Sequence, residues 1–460
     1  MKPLFLFFPA LLISCSTSPE STNADRKPNI IFVLADDLGY GDLGCYGQKR
    51  IPTPNLDQLA SKGLRFTNCY AGSTVCAPSR CTLMTGMHTG HCTVRGNKAV
   101  PLLTADVTVA ELLKEAGYVT GIIGKWGIGE PGTTGIPNRQ GFDYWFGYLN
   151  QRHAHNYYPE YLWRNEEKVG LANEEQGGVA TKKVEYSHDL FTKEALSFIE
   201  RHKDEPFFLY LPYTIPHANN EAGRKLGDGM EVPDYGPFAS EDWPNPEKGR
   251  AAMIWKLDRD FGTIMSTLDR LEIADDTLVI FTSDNGPHSE GGSKSTYFNS
   301  SGPLRGMKRS LHDGGIRVPA IARWPGKIAP GTESDLPWTF WDVLPTLAEL
   351  AGVSPPEKVD GVSILPTLRG EKQALDRFLY WEFHERGFHQ AVRWGKWKAV
   401  RKNRPDAPLE LYDLEKDLGE TTNIAGQQPA VLHRITDYLK GARTDSKDFP
   451  IRIRPKRKGN

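Results

Sequence analysis

Four apolar stretches dominate this sequence, and polar side chains follow each of them at once. The stretches are PNIIFVLADD, GIIGKWG, PFFLYLPYTIPH and TLVIFTSDNG. Helical patterns lie between them, most clearly at residues 187–202 and 247–271. Continuous apolar strands that alternate with helices predict an α/β fold, in which helices cover both faces of a large, mostly parallel sheet.

The polar residues after these strands mark the expected site. In sheets of this kind, ligands bind beyond the carboxyl ends of the strands. Four such ends carry Asp36 and Asp37, Lys125, His217, and Asp284 with Asn285. We therefore expect these side chains to meet at one edge of the sheet.

Three carboxylates and one amide suggest a metal site. Asp36, Asp37, Asp284 and Asn285 all offer oxygen ligands, which suit Ca²⁺ or Mg²⁺. A bound cation also relieves the repulsion between carboxylates that lie close together. Each pair alone is weaker evidence, because Asp and Asn also cap helices.

A second set of side chains is cationic. It comprises Arg80, Lys125, Lys308 and Arg317. Fixed cations beside a metal favour a multiply charged oxyanion such as sulfate or phosphate, although each one alone is equally compatible with a surface position. His217 is suited to hydrogen-bond such an anion or to protonate a leaving oxygen.

The pattern of apolar and polar residues along the chain changes near residue 370. Residues 28–370 carry the α/β pattern, and residues 371–445 carry short aromatic-rich strands followed by one helical segment. These features predict a catalytic domain and a smaller α+β subdomain with an antiparallel sheet and one packed helix. Residues 217–245 look like a long polar loop, and residues 446–460 form a basic tail, read most simply as solvated.

The N-terminus has the features of an export signal. Residues 1–15 contain an early lysine and an apolar run too short to cross a bilayer, and Leu-Ile-Ser-Cys15 resembles a bacterial lipobox. We expect a lipoprotein signal peptide over 1–15 and a polar tether over 16–27, with a plain signal peptide as the alternative. This predicts an exported protein of the bacterial periplasm or outer membrane, which touches the membrane only through a lipid anchor.

The charge and cysteine counts add two constraints. The 56 Lys and Arg residues nearly balance the 57 Asp and Glu residues, so no global charge favours nucleic acid. Lipidation of Cys15 would leave five cysteines, an odd number for an exported protein. Cys76 is then a structural thiol, half of a disulfide, a metal ligand or a residue with a chemical role.

The stretch CAPSRCTLMTG resembles the signature of the sulfatase family. Its matching positions are Cys76, Pro78, Ser79, Arg80, Thr85 and Gly86. The four strand-end motifs and LRGMKRSLHDGGIRVP also occur along the chain in the same order as in that family. The resemblance therefore spans about residues 28–440. It implies the alkaline-phosphatase-like fold, with a smaller C-terminal sheet.

The resemblance also implies a mechanism. Cys76 would be oxidised to formylglycine by a formylglycine-generating or anaerobic sulfatase-maturating enzyme. The hydrated aldehyde has two hydroxyls: one attacks the sulfur of a sulfate ester, and the other then expels the enzyme-bound sulfate. By the same resemblance, Arg80 stabilises the nucleophile, and Lys125, His217 and Lys308 hold the sulfate. Ca²⁺, or Mg²⁺, would be bound by the formylglycine oxygen together with Asp36, Asp37, Asp284 and Asn285.

The chain departs from the family pattern at one position. Many members have a histidine two residues after the lysine, where this chain has Gly127. We hypothesise that His153 or His155 reaches the site instead; the alternative is that they line a substrate pocket or a loop. His153, His155 and Arg317 are the predicted substrate-binding residues.

The expected substrate is a sulfated saccharide. Aromatic and polar residues at 144–163 suit stacking on sugar rings. The overall pattern favours a galactan or glycosaminoglycan, for example a galactose or N-acetylgalactosamine 4-sulfate. The alternatives are a phosphodiesterase or phosphonate hydrolase on the same fold, and a non-catalytic binder of sulfated glycan.

Overall fold

The computed structural model describes residues 3, 27–385 and 387–451. The predicted signal peptide apart from residue 3, nearly all of the tether, and the basic tail beyond residue 451 lie outside these residues. Among the residues described, none of the helices combines the length and the apolar character needed to span a membrane.

The strands have the following bounds: Asn29–Ala35 (β1), Leu64–Phe66 (β2), Cys69–Tyr70 (β3), Val119–Lys125 (β4), Tyr144–Tyr148 (β5), Tyr161–Arg164 (β6), Glu167–Gly170 (β7), Glu174–Gln176 (β8), Val179–Lys182 (β9), Phe207–Pro212 (β10), Thr277–Ser283 (β11), Ala320–Arg323 (β12), Thr332–Ser334 (β13), Trp338–Thr339 (β14), Phe378–Phe383 (β15), His389–Trp394 (β16), Trp397–Arg401 (β17) and Glu410–Asp413 (β18).

The helices have the following bounds: Pro54–Ser61 (α1), Cys76–Thr85 (α2), Val109–Glu115 (α3), Ser187–Arg201 (α4), Asn220–Leu226 (α5), Asn245–Arg270 (α6), Asp313–Ile316 (α7), Val343–Ala351 (α8), Leu365–Leu368 (α9) and Pro429–Leu439 (α10).

A ten-stranded sheet forms the centre of the molecule, in the order β13-β2-β12-β11-β1-β10-β4-β5-β6-β7. The five middle strands pair with one another in parallel, in the order β11, β1, β10, β4 and β5. Antiparallel strands lie toward both edges. The predicted large, mostly parallel sheet is therefore confirmed.

Strand β1 shows why this sheet is covered on both faces. Phe32 and Leu34 pack into one apolar core with residues of α3 and α8, and Ile31 and Val33 pack into a second core with residues of α4 and α6. All seven residues of β1 are buried. Because each large aliphatic side chain contributes roughly 1.5–3 kcal/mol on full burial, the continuous apolar run stabilises both layers.

The C-terminal part forms a separate antiparallel sheet, β15-β16-β17-β18. Helix α10 covers one face, where Ile435 is fully buried and joins an apolar cluster with Val392 and Leu411. Trp381 on the other face packs against Tyr70 and Trp341 of the larger domain. This confirms the predicted small sheet with one packed helix, and the predicted boundary at 370/371 falls between α9 and β15.

Residues 217–245 differ from the predicted loop because they contain helix α5. Its start is capped by Asn219, whose side-chain oxygen accepts the backbone N–H groups of Glu221 and Ala222. Gly227, at φ +83°, ends the helix in a left-handed conformation. The segment is thus tied down locally, next to the end of β10.

Candidate active site

The four predicted strand ends lie side by side in the sheet. Strands β11, β1, β10 and β4 are consecutive parallel neighbours, so their carboxyl ends share one edge. This edge carries Asp284 and Asn285 after β11, Asp36 and Asp37 after β1, His217 beyond β10, and Lys125 at the end of β4. All of these side chains are buried.

The stretch CAPSRCTLMTG folds into helix α2, which explains its spacing. Cys76 is the first helical residue, and Arg80 lies one turn later on the same face. Pro78 falls in the first turn, where a missing N–H costs nothing. Gly86 ends the helix at φ +69°, a conformation that favours glycine.

The thiol of Cys76 faces the carboxylates. Its Sγ donates to Oδ1 of Asp36 at 3.4 Å, and the residue is 1% exposed. Burial, together with the nearby Asp36, raises the pKa of the Cys76 thiol well above its usual value. Since the thiolate is the nucleophilic form, this environment disfavours Cys76 as a cysteine nucleophile.

The predicted metal ligands lie close together at this edge of the sheet. One ligand atom each of Asp36, Asp37 and Cys76 lies within 4.8 Å of the others and of His217, which was not among the predicted ligands. Asp284 joins them through its Oδ1, which accepts the backbone N–H of Asp37 at 3.1 Å. Burial and the nearby charge of Asp36 raise the pKa of Asp284 to about 7, which shows the repulsion that a cation would relieve.

The fourth predicted ligand offers a more direct test of fit. The Oδ1 atom of Asn285 is buried without a hydrogen-bond partner among the described residues, while its amide NH₂ donates to Oδ1 of Asp37 at 2.6 Å. An orphaned carbonyl oxygen beside carboxylates is a donor set suited to Ca²⁺ or Mg²⁺. The residues present therefore fit the implied metal.

Three cations face these carboxylates. Nζ of Lys125 lies 2.6 Å from Oδ2 of Asp36, and Nζ of Lys308 lies 2.7 Å from Oδ2 of Asp37. Nη2 of Arg80 lies 2.8 Å from Oδ2 of Asp284. Burial opposes the charged form of Lys308, but the nearby Asp37 raises its pKa above the usual value. Lys308 is thus held as an ammonium group.

His217 has a defined orientation. Its Nδ1 lies 2.7 Å from the carbonyl oxygen of Ala218, and its Nε2 lies 3.1 Å from Nζ of Lys308. The carbonyl only accepts and the ammonium only donates, so Nδ1 carries the proton and Nε2 accepts. Burial, with Lys308 next in effect, lowers the pKa of His217 well below its usual value.

The predicted substrate-binding residues separate in space. The ring of His155 stacks on that of His217 at 5.0 Å, and its Nδ1 contacts Glu221 at 2.9 Å. His153 instead contacts the rings of Tyr148 and Tyr161. His155 therefore reaches the strand-end cluster, whereas the ring contacts of His153 lead away from it.

Arg317, the third of these residues, is committed elsewhere. Its Nε donates to the carbonyl of Thr67 at 2.7 Å, and its Nη1 lies 3.5 Å from Asp313. Asp313 also pairs with Lys398 of β17. These contacts link the two sheets, and they differ from the substrate-binding position predicted for Arg317.

Glu290 is a member of the cluster that sequence reasoning missed. Its carboxylate lies 3.5 Å from Lys308 and 2.5 Å from Arg309. Burial opposes the charged form, but Lys308 and the other cations hold the pKa of Glu290 at about 2. Glu290 follows the strand-end motif by five residues in a Ser- and Gly-rich stretch, which offers no local signal for such a contact.

Buried cations, converging oxygen ligands and a helix N-terminus together form a site for an ester of a multiply charged oxyanion. A family model described as Sulfatase matches residues 28–353, and one described as N-sulphoglucosamine sulphohydrolase, C-terminal, matches residues 307–445. The chain therefore belongs to the sulfatase family. It is a sulfuric ester hydrolase with the alkaline-phosphatase-like fold.

Two relatives match over most of their length. N-acetylgalactosamine-6-O-sulfatase of Bacteroides thetaiotaomicron is 33% identical over 518 residues, with 95% of this chain and 97% of the relative covered. Arylsulfatase A of Homo sapiens is 35% identical over 470 residues, with 89% and 86% covered.

Solved structures show the same architecture. Ps i-CgsB in complex with k-i-k-neocarrahexaose superposes with a TM-score of 0.77 at 29% identity and covers 91% of this chain and 94% of that one. Phosphonate Monoester Hydrolase of Agrobacterium radiobacter superposes with a TM-score of 0.65 at 22% identity, covering 93% and 100%. The second likeness shows a shared fold alone.

Proposed function

We propose that this protein removes sulfate from a sulfated saccharide, using an aldehyde derived from Cys76 and a divalent cation, Ca²⁺ or else Mg²⁺. One observation carries the proposal: Cys76 stands at the N-terminus of α2 and contacts Asp36, yet its thiol is held neutral. A buried neutral thiol among metal ligands is a poor nucleophile. Conversion to formylglycine replaces it with a group whose hydrated form has two hydroxyls.

The protein surroundings of Cys76 suit a developing negative charge. The N-terminus of α2 favours an anion through its free N–H groups and the helix dipole. Arg80 lies one helical turn after Cys76, on the same face of α2. Its Nε and Nη2 donate to Oδ2 of Asp284 at 3.3 Å and 2.8 Å. Its Nη1 donates to the carbonyl oxygen of Lys125, which fixes the guanidinium beside the strand end.

The cation would be held by Asp36, Asp37, Asp284 and Asn285. When bound, such an ion would lower the pKa of an attached hydroxyl and so make the ionised, nucleophilic form available at neutral pH. Three of these residues are already paired with Lys125, Lys308 and Arg80. Those cations would offset part of the repulsion between the carboxylates, and the bound ion would offset the rest.

The sulfate group would be held by the cationic side chains that lie near Cys76. Lys125 and Lys308 each present an ammonium group at the edge of the sheet, and Lys308 also donates to Nε2 of His217. We assign sulfate binding to these three side chains. Lys308 and His217 form a donor–acceptor pair through which a proton reaches the leaving alcohol oxygen.

For the substrate, we propose a galactose or N-acetylgalactosamine sulfate within a glycosaminoglycan or galactan. The support is a relative named N-acetylgalactosamine-6-O-sulfatase and a structural neighbour solved with k-i-k-neocarrahexaose. The sequence pattern favours the 4-sulfate, and the named relative acts on a 6-sulfate. Both positions therefore belong in the test.

Maturation and location complete the proposal. A formylglycine-generating or anaerobic sulfatase-maturating enzyme would modify Cys76. The lipobox-like sequence before Cys15 supports export to the periplasm or outer membrane, with a lipid on Cys15 as the only membrane contact.

The deciding experiment assays the matured enzyme on matched esters. Protein co-expressed with a formylglycine-generating enzyme is tested on p-nitrophenyl sulfate and on bis(p-nitrophenyl) phosphate. It is also tested on the 4- and 6-sulfates of galactose and N-acetylgalactosamine. We expect sulfate release from at least one sugar and a clear preference for the aryl sulfate over the phosphodiester. A preference for the phosphodiester would instead support the alternative phosphodiesterase function.

A further inference from the structure

A cavity of about 210 Å³ opens beside helix α2, apart from the cations that would hold the sulfate. Its lining includes Asn97, Lys98, Gly127, Asn150, Gln151 and Arg152. These residues come from three separate segments of the chain, and the remaining lining residues are Ala99, Val100, Gly129 and Glu130. Five amide and cationic side chains beside one carboxylate make a lining that suits sugar hydroxyls better than an apolar ligand.

The cavity adjoins the start of α2. The Oδ1 of Asn97 accepts the backbone N–H of Ala77, the residue after Cys76, at 3.0 Å. On the other side, a Cβ added to Gly127 would lie 3.7 Å from Cδ of Arg80. Asn97 thus contacts α2 beside Cys76, and Gly127 lies near Arg80, one turn further along the helix.

Gly127 makes room for Gln151. Gly127 has φ +82°, and a Cβ built there would collide with Nε2 of Gln151. The same Nε2 donates to the carbonyl oxygen of Gly127 at 3.2 Å. A side chain at 127 would therefore require Gln151 to move, and the amide of Gln151 occupies the space beside Gly127.

The loop that carries Gln151 is fixed in place. The side chain of Asn150 accepts the N–H of His153 at 3.0 Å and donates to Glu130 at 3.3 Å. Arg152, next along the chain, is 81% exposed at its side chain and lies 4.0 Å from Glu221. The loop thus holds an amide in the cavity and a cation at its rim.

We propose that this cavity is a saccharide subsite, in which Gln151 hydrogen-bonds a hydroxyl of a hexose ring and Arg152 attracts an anionic substituent of the same chain. Amides both donate and accept, which matches the bonding capacity of a sugar hydroxyl. Arg152 and Lys98 line the cavity with side chains that are 81% and 59% exposed, so both can attract a sulfated or carboxylated chain, and Lys98 also lies 3.4 Å from Asp448. This inference rests on the proposed sulfatase function and adds the residues that select the sugar.

The test compares two substrates in four matured proteins: wild type, Gln151→Leu, Arg152→Gln and the control Gln427→Leu. Gln427 is exposed and lies in the C-terminal subdomain. Each protein is assayed on p-nitrophenyl sulfate and on whichever sulfated disaccharide with a carboxylate or a second sulfate, from chondroitin or from a galactan, the wild type hydrolyses fastest. Thermal melting checks that each variant is folded; if Gln151→Leu does not fold, the exposed Arg152→Gln decides.

We expect Gln151→Leu to lower the ratio of kcat/KM for the sugar to kcat/KM for the aryl sulfate by about tenfold, mainly through KM. Arg152→Gln should lower the same ratio by about fivefold, and the control should keep the ratio of the wild type. A wild-type ratio in both active variants overturns the subsite. An equal fall for both substrates also overturns it, because Gln151 would then act on a step that the two esters share. A wild type that releases no sulfate from any ester overturns the proposed function itself.

Discussion

Nζ of Lys308 lies 3.1 Å from Nε2 of His217, so two basic side chains face each other at the edge of the sheet. The arrangement is stable because His217 donates through Nδ1 to the carbonyl of Ala218 and leaves Nε2 as an acceptor. Asp37 pairs with Lys308 at 2.7 Å and keeps it charged. The two side chains thus form one donor–acceptor unit.

Because they form a unit, their removal should not be additive. We expect Lys308→Met and His217→Gln each to lower kcat by roughly 10²–10⁴-fold. The double variant should lose no more than about tenfold beyond the worse single variant. The exposed Lys372→Met serves as the control. Losses that multiply in the double variant would show that the two residues act independently.

His155 and His153 should differ in their effect on turnover. His155 stacks on His217 and is held by Glu221, whereas His153 packs between tyrosine rings. We expect His155→Gln to lower kcat by about tenfold and His153→Gln by less than about threefold. Steady-state kinetics on an aryl sulfate measures both. Unchanged turnover in both variants would rule out either histidine as a replacement at Gly127.

Metal binding should be visible as thermal stabilisation. A ligand that binds only the folded state at about 100 times its Kd stabilises it by roughly 2.7 kcal/mol. We expect CaCl₂ to raise the Tm of chelator-treated protein, and Asp284→Asn to lose most of this rise. Asp275→Asn, an exposed neighbour on the same part of the chain, is the control. A full Ca²⁺-dependent rise in Asp284→Asn would place the ion elsewhere.

His88 should make the fold sensitive to mild acid. Burial lowers the pKa of His88 from 6.5 to about 4, so between these values the unfolded chain binds a proton that the folded chain does not. Stability is therefore lost as the pH falls from about 6.5 toward 4, by roughly 2 kcal/mol near pH 5.

Urea unfolding near pH 7 and near pH 5 tests this expectation. His88→Gln should reduce the loss of unfolding free energy between the two pH values by roughly 2 kcal/mol. His433→Gln, whose side chain is 79% exposed, should behave as the wild type. An unchanged pH dependence in His88→Gln would show that other groups cause the acid sensitivity.

The strands and their polar ends could be predicted because both signals are local. An apolar run such as residues 29–35 needs two covered faces, and Asp36 directly after it has to emerge at the sheet edge. Helix α5 was missed because it is short and depends on its Asn219 cap rather than on an apolar repeat.

Contacts between distant loops could not be predicted from spacing. Glu290 reaches Lys308 and Gln151 reaches Gly127 only because the sheet brings their loops together. Arg317 was expected near the substrate, but it lies four residues after Asp313 and pairs with it beyond the short helix α7. Such a side chain can bind either a nearby residue of opposite charge or a group in the site, and the sequence does not show which of the two it binds.

Sulfate release by matched cysteine variants tests the central claim most directly. Wild type, Cys76→Ala and Cys45→Ala are each co-expressed with a formylglycine-generating enzyme and assayed by ion chromatography on the four sugar sulfates; Cys45 is a partly exposed thiol and serves as the control. The proposed chemistry predicts release by wild type and Cys45→Ala, and a loss of at least about 10³-fold in Cys76→Ala. Full sulfate release by Cys76→Ala would contradict it.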